Sequence, residues 1–542
     1  MLKPKSGAQR TDAPYHVFWL IVFFLLVLNP ASAQMTVAQV EQVIAQAATR
    51  ASQINSNSVI AVVDREGFVL GVWAVATNSP TFDLDVQDAI TKAGTASFLS
   101  SDQHAFTSRT AGFIVQQSFP PRVKNKPNGP LVGVNFSNLS FSDVNRFKNP
   151  ATFSTNVFGG SGTNGAPIDG PAVLSGLAGS PGGVPLFQNG ILIGGAGVAG
   201  NSRKANTGIP ALDDIQSVQV RDIDEDIALA GQKGFAPKPV FFGSRVFIDG
   251  IRVPYVQSST RLKTVSPFGS IGSAGTNYPV TNSPVVNYPV ASFGGVNNEI
   301  RASIINDPVL GLIDGQPRLT AAEVNSILTL AAKRANITRA GIRLPRGQKA
   351  QVFITVVNNP NVDGVAPEIL GTIRTPGATI FSWDVSVQKA RTAVYFSDPN
   401  RNLFSIPNLA MSSRTVGFLA QSHYPPDIVK NSPGPFLGLQ EFFSAFPANF
   451  RNPLNGAIVT NIPAIDPNLP NGITIFPGGF PLYRNGVLIG AIGVSGDGID
   501  QDDIIAASGT VNFLPPKNIW ADEYRFRGAR LPYAKFPRNP SL

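Results

Sequence analysis

What most limits the folding of this chain is that it repeats itself. Thr36 opens an amphipathic helix that carries Val37, Val40, Ile44, Ala47 and Ala51, and Leu319-Thr320 opens a matching one with Val324, Ile327, Leu328, Ala331 and Ala335. Thr36 and Thr320 are natural N-caps. A strand pair follows each helix: Val59–Val63 and Phe68–Trp73 around Asp64-Arg65-Glu66-Gly67, then Val352–Val357 and Ile369–Ile373. The next helix carries Lys92-Ala93-Gly94-Thr95-Ala96 or Lys389-Ala390-Arg391-Thr392-Ala393. Ser108-Arg109-Thr110 is answered by Ser413-Arg414-Thr415, and Phe119-Pro120-Pro121 by Tyr424-Pro425-Pro426. In the closing block, Gly182-Gly183, Asn189-Gly190 and Ile191–Gly194 match Gly478-Gly479, Asn485-Gly486 and Val487–Gly490. Asn-Gly between apolar runs signals a type I′ hairpin. So many matches in one order point to a tandem duplication.

The order helix, hairpin, helix, loops, hairpin, helix contains no run of β-α-β crossovers. It predicts an α/β (α+β) fold in which each copy is a mainly antiparallel sheet flanked by helices. The copies are expected at 34–255 and 319–542, with loop insertions at 122–180 and 201–220 in the first. Residues 256–318, rich in Ser, Asn, Gly and Pro, read as the linker.

Residues 1–33 read as a secretory signal peptide. Lys3, Lys5 and Arg10 precede the apolar run Val17–Leu28, Pro30 ends it, and Ala31-Ser32-Ala33 suits cleavage after Ala33. The run is shorter than the roughly 20 residues a membrane anchor needs. A periplasmic or secreted protein is therefore expected. There is no cysteine, which excludes disulfides, thiolate ligands and thiol nucleophiles. The net charge is +9, but Lys and Arg are scattered and no nucleic-acid module is visible.

The closing phrases resemble the GlcG/HbpS family of haem-binding proteins. The resemblance rests on Gly-Gly-x-Pro-Leu, Asn-Gly, Gly490-Ala491-Ile492-Gly493-Val494-Ser495-Gly496 and the helix running from Asp502 to Gly509, with the leading helix and the Lys-Ala-x-Thr-Ala phrase. It covers most of 35–255 and 319–535 outside loops and linker. It implies profilin-like domains that self-associate and bind haem or a related tetrapyrrole. It therefore implies an intramolecular pseudo-dimer here. Some members place a haem-ligating histidine near the first helix, whereas 36–52 and 320–336 contain none.

Past the signal segment only His104 and His423 remain, and they are not at equivalent positions. Imidazole is a normal axial ligand of haem, so His423, beside its Pro-Pro segment, is the expected metal ligand and His104 the second candidate. Arg109 and Arg414 share one slot and could pair a carboxylate, or could serve as structural arginines. Met411 reads as a core methionine rather than a soft ligand. Lys92 and Lys389 read as solvated helix ends.

Two motifs are decoys. Gly195-Ala196-Gly197-Val198-Ala199-Gly200 has dinucleotide-site spacing, but no helix opens after it and the second copy spaces its glycines differently, so the glycines read as close packing of a strand. Asp224-Glu225 and Asp502-Asp503 resemble paired catalytic acids, yet neighbours on a helix diverge, and helix capping explains them better. No familiar catalytic signature is present. The expected function is haem or tetrapyrrole binding. The competing readings are a structural or interaction module with a degenerate pocket, and a haem-degrading or redox activity.

Overall fold

The computed structural model describes residues 34–76, 82–116, 177–201, 220–275, 278–401, 406–426, 466–470 and 472–535, with most of 119–131 and 428–437. The expected signal peptide, 202–219 of the 201–220 insertion and most of the 122–180 insertion lie outside these residues. Among the described residues, no helix is long and apolar enough to cross a membrane.

Helix α1 (Val37–Gln53) begins at Thr36 in a capping box, in which the side chains of Thr36 and Gln39 each accept from the other's backbone amide; α5 (Ala321–Ala335) begins at Thr320 with Glu323 in the same role. In the first half, β1 (Val59–Asp64), β2 (Val69–Ala74), β3 (Gly183–Gln188) and β4 (Ile191–Ala199) form an antiparallel sheet in the order β3-β4-β1-β2. In the second, β10 (Phe353–Asn358), β11 (Ile369–Arg374), β12 (Gly479–Arg484) and β13 (Val487–Ser495) form β12-β13-β10-β11. The agreement extends to irregularities: the β1–β2 register shifts between Val62 and Val63, and that of β10–β11 between Val356 and Val357. Asn189 and Gly190, like Asn485 and Gly486, have positive φ, as a type I′ turn demands.

Strands β1, β2, β10 and β11 are buried at every residue. They are mostly apolar because helices cover the sheet. Helix α2 (Phe82–Phe98) lies across β1, β3 and β4, while α1 packs on β1 and on α4 (Ile223–Gly231). Helix α6 (Ser382–Ser397) repeats the part of α2, and α8 (Ile499–Gly509) packs on α5 as α4 does on α1. Two short helices, α3 (Ser108–Ile114) and α7 (Ser413–Leu419), start at the side-chain caps Thr107 and Ser412. Short pairs β5 (Phe247–Ile248) with β6 (Ile251–Arg252), and β14 (Arg525–Phe526) with β15 (Ala529–Arg530), follow α4 and α8.

Residues 256–318 do more than join the halves. Ser283 and Asn282 accept hydrogen bonds from the amides of Met35 and Val37, and the Trp73 indole donates to the Ile271 carbonyl at 2.7 Å. Strand β7 (Ser273–Ala274) pairs with β2. The hairpin of β8 (Val290–Phe293) and β9 (Val296–Ala302) then joins the other sheet, with β9 on β11. From β9, Arg301 reaches back to Glu66 at 2.8 and 3.0 Å. One hydrophobic cluster also runs through both halves, joining Phe98, Leu99 and Phe106 to Phe353, Trp383 and Phe480.

Candidate functional site

The glycine-rich strands explain how helices approach the sheet closely enough to aim polar groups inward. A Cβ at Gly197 would strike the Ala89 carbonyl of α2, and one at Gly493 the Ser386 carbonyl of α6. These glycines are packing residues, as their spacing suggested. With the helix backbone pressed on the strand, Lys389 projects into the interior. It is 2 % exposed and donates to the Val494 carbonyl and to Asp502 Oδ2, both at 2.8 Å. In the first half Lys92 donates to the Val198 carbonyl at 3.1 Å and Asp224 Oδ2 at 3.2 Å, with Asp88 at 3.0 Å. Burial by itself would depress the Lys92 pKa, but the carboxylates of Asp88 and Asp224 prevail and raise it. Both lysines are thus buried ion-pair partners. The expectation of solvated helix ends is corrected, because the missing side chains of the facing glycines make room for them.

The acid doublets split as the helix geometry requires, but their role is ion pairing rather than capping. Asp224 faces Lys92 while Glu225 grips Arg109 at 2.6 and 2.9 Å, and Asp222 is the cap of α4. Asp502 faces Lys389 while Asp503 meets Arg414 at 3.0 Å, with Asp500 on the same guanidinium at 2.8 Å. Arg109 and Arg414 therefore bind carboxylates of their own chain.

His104 is fully buried. Its Nδ1 accepts from Ser101 Oγ at 2.8 Å and its Nε2 donates to the Leu99 carbonyl at 2.9 Å, so neither nitrogen is left for a ligand. Burial, aided by the nearby Arg343 charge, pushes its pKa down to about 3. The unfolded chain would take up a proton near pH 6.5, well before the folded one, so acidification from about pH 6.5 towards 3 favours unfolding. His104→Gln is expected to lose less stability than the parent between about pH 7 and about pH 4.5 in urea titrations. Equal losses would mean that His104 charges freely in the fold.

His423 lies in the loop after α7 and is half-buried, with Nδ1 at 3.4 Å from the Asn431 carbonyl. The structure does not bring it to Arg414, whose guanidinium is turned to α8. Met411 is 3 % exposed and belongs to the core. Among the described residues no cluster of three His, Asp or Glu could hold a metal ion.

Where the halves meet there is a cavity of about 260 Å³. Leu99, Phe106 and Leu131 line it from the first half; Ile342, Phe381 and Phe476 from the second. Its polar lining includes Lys389, Asp502, Asp249, Ser495, Asp500 and Gln501. Burial pushes the Asp502 carboxyl up to about 7, against the pull of Lys389. Beside the cavity, Arg343 is buried on Asp497 and donates to Ser101 Oγ at 2.9 Å and Gln103 Oε1 at 3.1 Å of the first half. Sequence reasoning missed this arginine, which has no counterpart in the first copy. It also missed Lys389, although the recurrence of a Lys in one helix with an Asp in the first turn of a later helix, in both halves, was a usable signal.

This α/β architecture of antiparallel sheets covered by helices accords with the comparison with known families. Residues 333–510 match the family model described as Haem degrading protein HbpS-like. The matched stretch is about a third of the chain and lies within its second half. Solved structures that align include a PduOC–haem complex (19 % identity, 37 % of this chain and 100 % of that one, TM-score 0.23). Klebsiella pneumoniae ORFY aligns at 18 % identity over 37 % and 89 % with TM-score 0.21, and a double mutant of Streptomyces reticuli HbpS at 20 % over 38 % and 96 % with TM-score 0.21. No curated protein matches the chain.

Proposed function

We propose that the chain is an exported binding protein for haem or a related tetrapyrrole, built as a pseudo-dimer of two GlcG/HbpS-type copies, with His423 as the axial ligand. The family match over 333–510 supports the ligand class. The observation that carries the residue is the His423 ring. The Asn431 carbonyl can only accept, so Nδ1 holds the proton and Nε2 presents a lone pair. That tautomer, fixed by a backbone carbonyl on the other nitrogen, is the one a metal-ligating histidine uses. Nearby, Arg527 lies 5.1 Å from the Phe526 ring and donates to the Pro433 carbonyl, which offers a cation for a propionate on the same loop cluster.

The cavity between the halves does not fit the same group. It is smaller than the roughly 300–1,000 Å³ of pockets that enclose drug-sized ligands, and among the described residues no histidine or methionine lines it. Bound haem would supply a redox-active iron; the protein's own part is to ligate through His423 and to shield one ring face. In the pseudo-dimer reading, Arg343 and Arg301 hold the copies together through Ser101, Gln103 and Glu66. A second reading, a structural or interaction module with a degenerate pocket, is favoured by the internal pairing of Arg109 and Arg414.

Haemin titration followed in the Soret region tests the proposal. The parent protein should saturate at one equivalent, and His423→Ala should shift the band and weaken binding by at least about tenfold. Unchanged spectrum and affinity in His423→Ala would remove the assignment and leave the interaction-module reading.

A further inference from the structure

The connection from α5 to β10 is built unlike its counterpart. Residues 54–58 join α1 to β1 in the first half, whereas 336–352 make the same step in the second. The stretch from Val324 to Val362 carries Lys333, Arg334, Arg339, Arg343, Arg346 and Lys349, and no acid. Arg343 turns inward to Asp497. The Leu344 amide donates to the Gln103 carbonyl at 3.1 Å, and the Gln103 side-chain amide to Gln348 Oε1 at 3.1 Å, so the loop is fixed to the first half. Lys333, Arg339, Arg346 and Lys349 are exposed, and among the described residues no carboxylate pairs with them. Two acids adjoin the anchor points and both are taken, Asp497 by Arg343 and Asp102 by Arg65.

Arg339 and Lys349 oppose each other across the loop. The Ala340 amide donates to the Gln348 carbonyl at 2.7 Å and the Ala350 amide to the Thr338 carbonyl at 2.8 Å. Arg339 and Lys349 are therefore a non-hydrogen-bonded pair, whose side chains leave from one face. The alpha carbons of such a pair stand about 4.5 Å apart, and like charges placed there are destabilising. The anchored loop thus holds two cations side by side at a cost that a negative partner would relieve. Just before them Ile337 is 64 % exposed, and Lys333 stands one helical turn earlier.

We infer that this loop is a docking surface for an anionic membrane, with Lys333, Arg339, Arg346 and Lys349 on lipid phosphates and Ile337 at the acyl boundary. Cations this exposed gain little from a single ion, whereas a surface dense in phosphate engages all of them at once. The apolar Ile337 beside them favours lipid over a soluble acidic protein. A second copy of the chain is disfavoured by its own net charge of +9. Neither His423 nor haem enters this inference.

The test is sedimentation of the full-length protein, without haemin, with vesicles of phosphatidylcholine alone or of equal parts phosphatidylcholine and phosphatidylglycerol. At low salt it should bind the mixed vesicles and leave the neutral ones. Arg339→Gln with Lys349→Gln should weaken binding about 25-fold, at about fivefold for each cation lost. Lys233→Gln with Lys517→Gln removes the same charge at exposed sites elsewhere and should leave binding within about twofold. Ile337→Ser should weaken it at least about threefold. All the substituted side chains are exposed, so circular dichroism should show the parent fold throughout. No binding to the mixed vesicles, equal losses in the two double variants, or unchanged binding by Ile337→Ser would each overturn the inference. So would displacement of the vesicles by inorganic phosphate at constant ionic strength, or tighter binding of duplex DNA.

Discussion

Arg343→Ala is expected to lower the stability of the protein by about 3–5 kcal/mol, because it strands the Asp497 carboxyl in the interior. Arg343 and Asp497 are each fully buried side chains in contact, and the guanidinium also holds Ser101, Gln103 and the Gly377 carbonyl. With the arginine gone, Asp497 keeps only the Gln351 amide. Burial already holds its carboxyl above the usual range, and loss of the cation would push it further up. The variant's deficit should therefore shrink on acidification, when Asp497 can be buried neutral. Ser101 and Gln103 belong to the first half, so the lesion should also uncouple the halves and turn one urea transition into two. A single transition with a loss under about 1 kcal/mol would show that the arginine contributes no more than an exposed pair does.

Gly197→Val and Gly493→Val should each cost at least about 4 kcal/mol, near the upper end of single-site effects. A side chain at Gly197 would occupy the place of the Ala89 carbonyl and Ala93 amide, and one at Gly493 that of the Ser386 carbonyl and Ala390 amide. These are backbone atoms in the middle of helices, so no rotamer change relieves the overlap. The helix would have to lift off the sheet, taking Lys92 or Lys389 away from its carboxylate. Gly275→Ala is the control, since its Cβ would meet only ordinary contacts with Val72. Thermal melts followed by circular dichroism compare the three. Wild-type melting of both valine variants would mean that the helices do not press on the strands as described.

Much of the scaffold was legible because its signals are local. Thr36 and Thr320 cap their helices, the two Asn-Gly pairs make the hairpin turns, and periodic apolar residues mark the helices that cover the sheets. Several of these signals occur twice along the chain. What stayed hidden depends on partners far along the chain. Lysine is rarely buried without a partner, so Lys92 and Lys389 read as solvated until Asp224 and Asp502 are seen beside them. Arg109 and Arg414 were open to either role, and the carboxylates they pair with, on α4 and α8, lie far along the chain. Strands β8 and β9 were lost in a stretch dominated by Ser, Asn and Gly, because their pairing with β11 supplies what the local composition does not. His423 keeps its candidacy because nothing in the described fold spends its Nε2.

The lending of β9 to the second sheet has a consequence for synthesis. A ribosome makes the chain from its amino end, so the β8–β9 hairpin emerges before the body it must join. Its partner β11 follows only about 70 residues later, after α5 and β10. During that interval the hairpin can rest only on material already made, and Arg301 with Glu66 gives it a foothold on the finished first half. A gene fragment starting at Leu319 would encode every element of the second repeat and still lack its outer strand, leaving Arg374 without Glu299 and β11 as a bare edge open to neighbouring molecules.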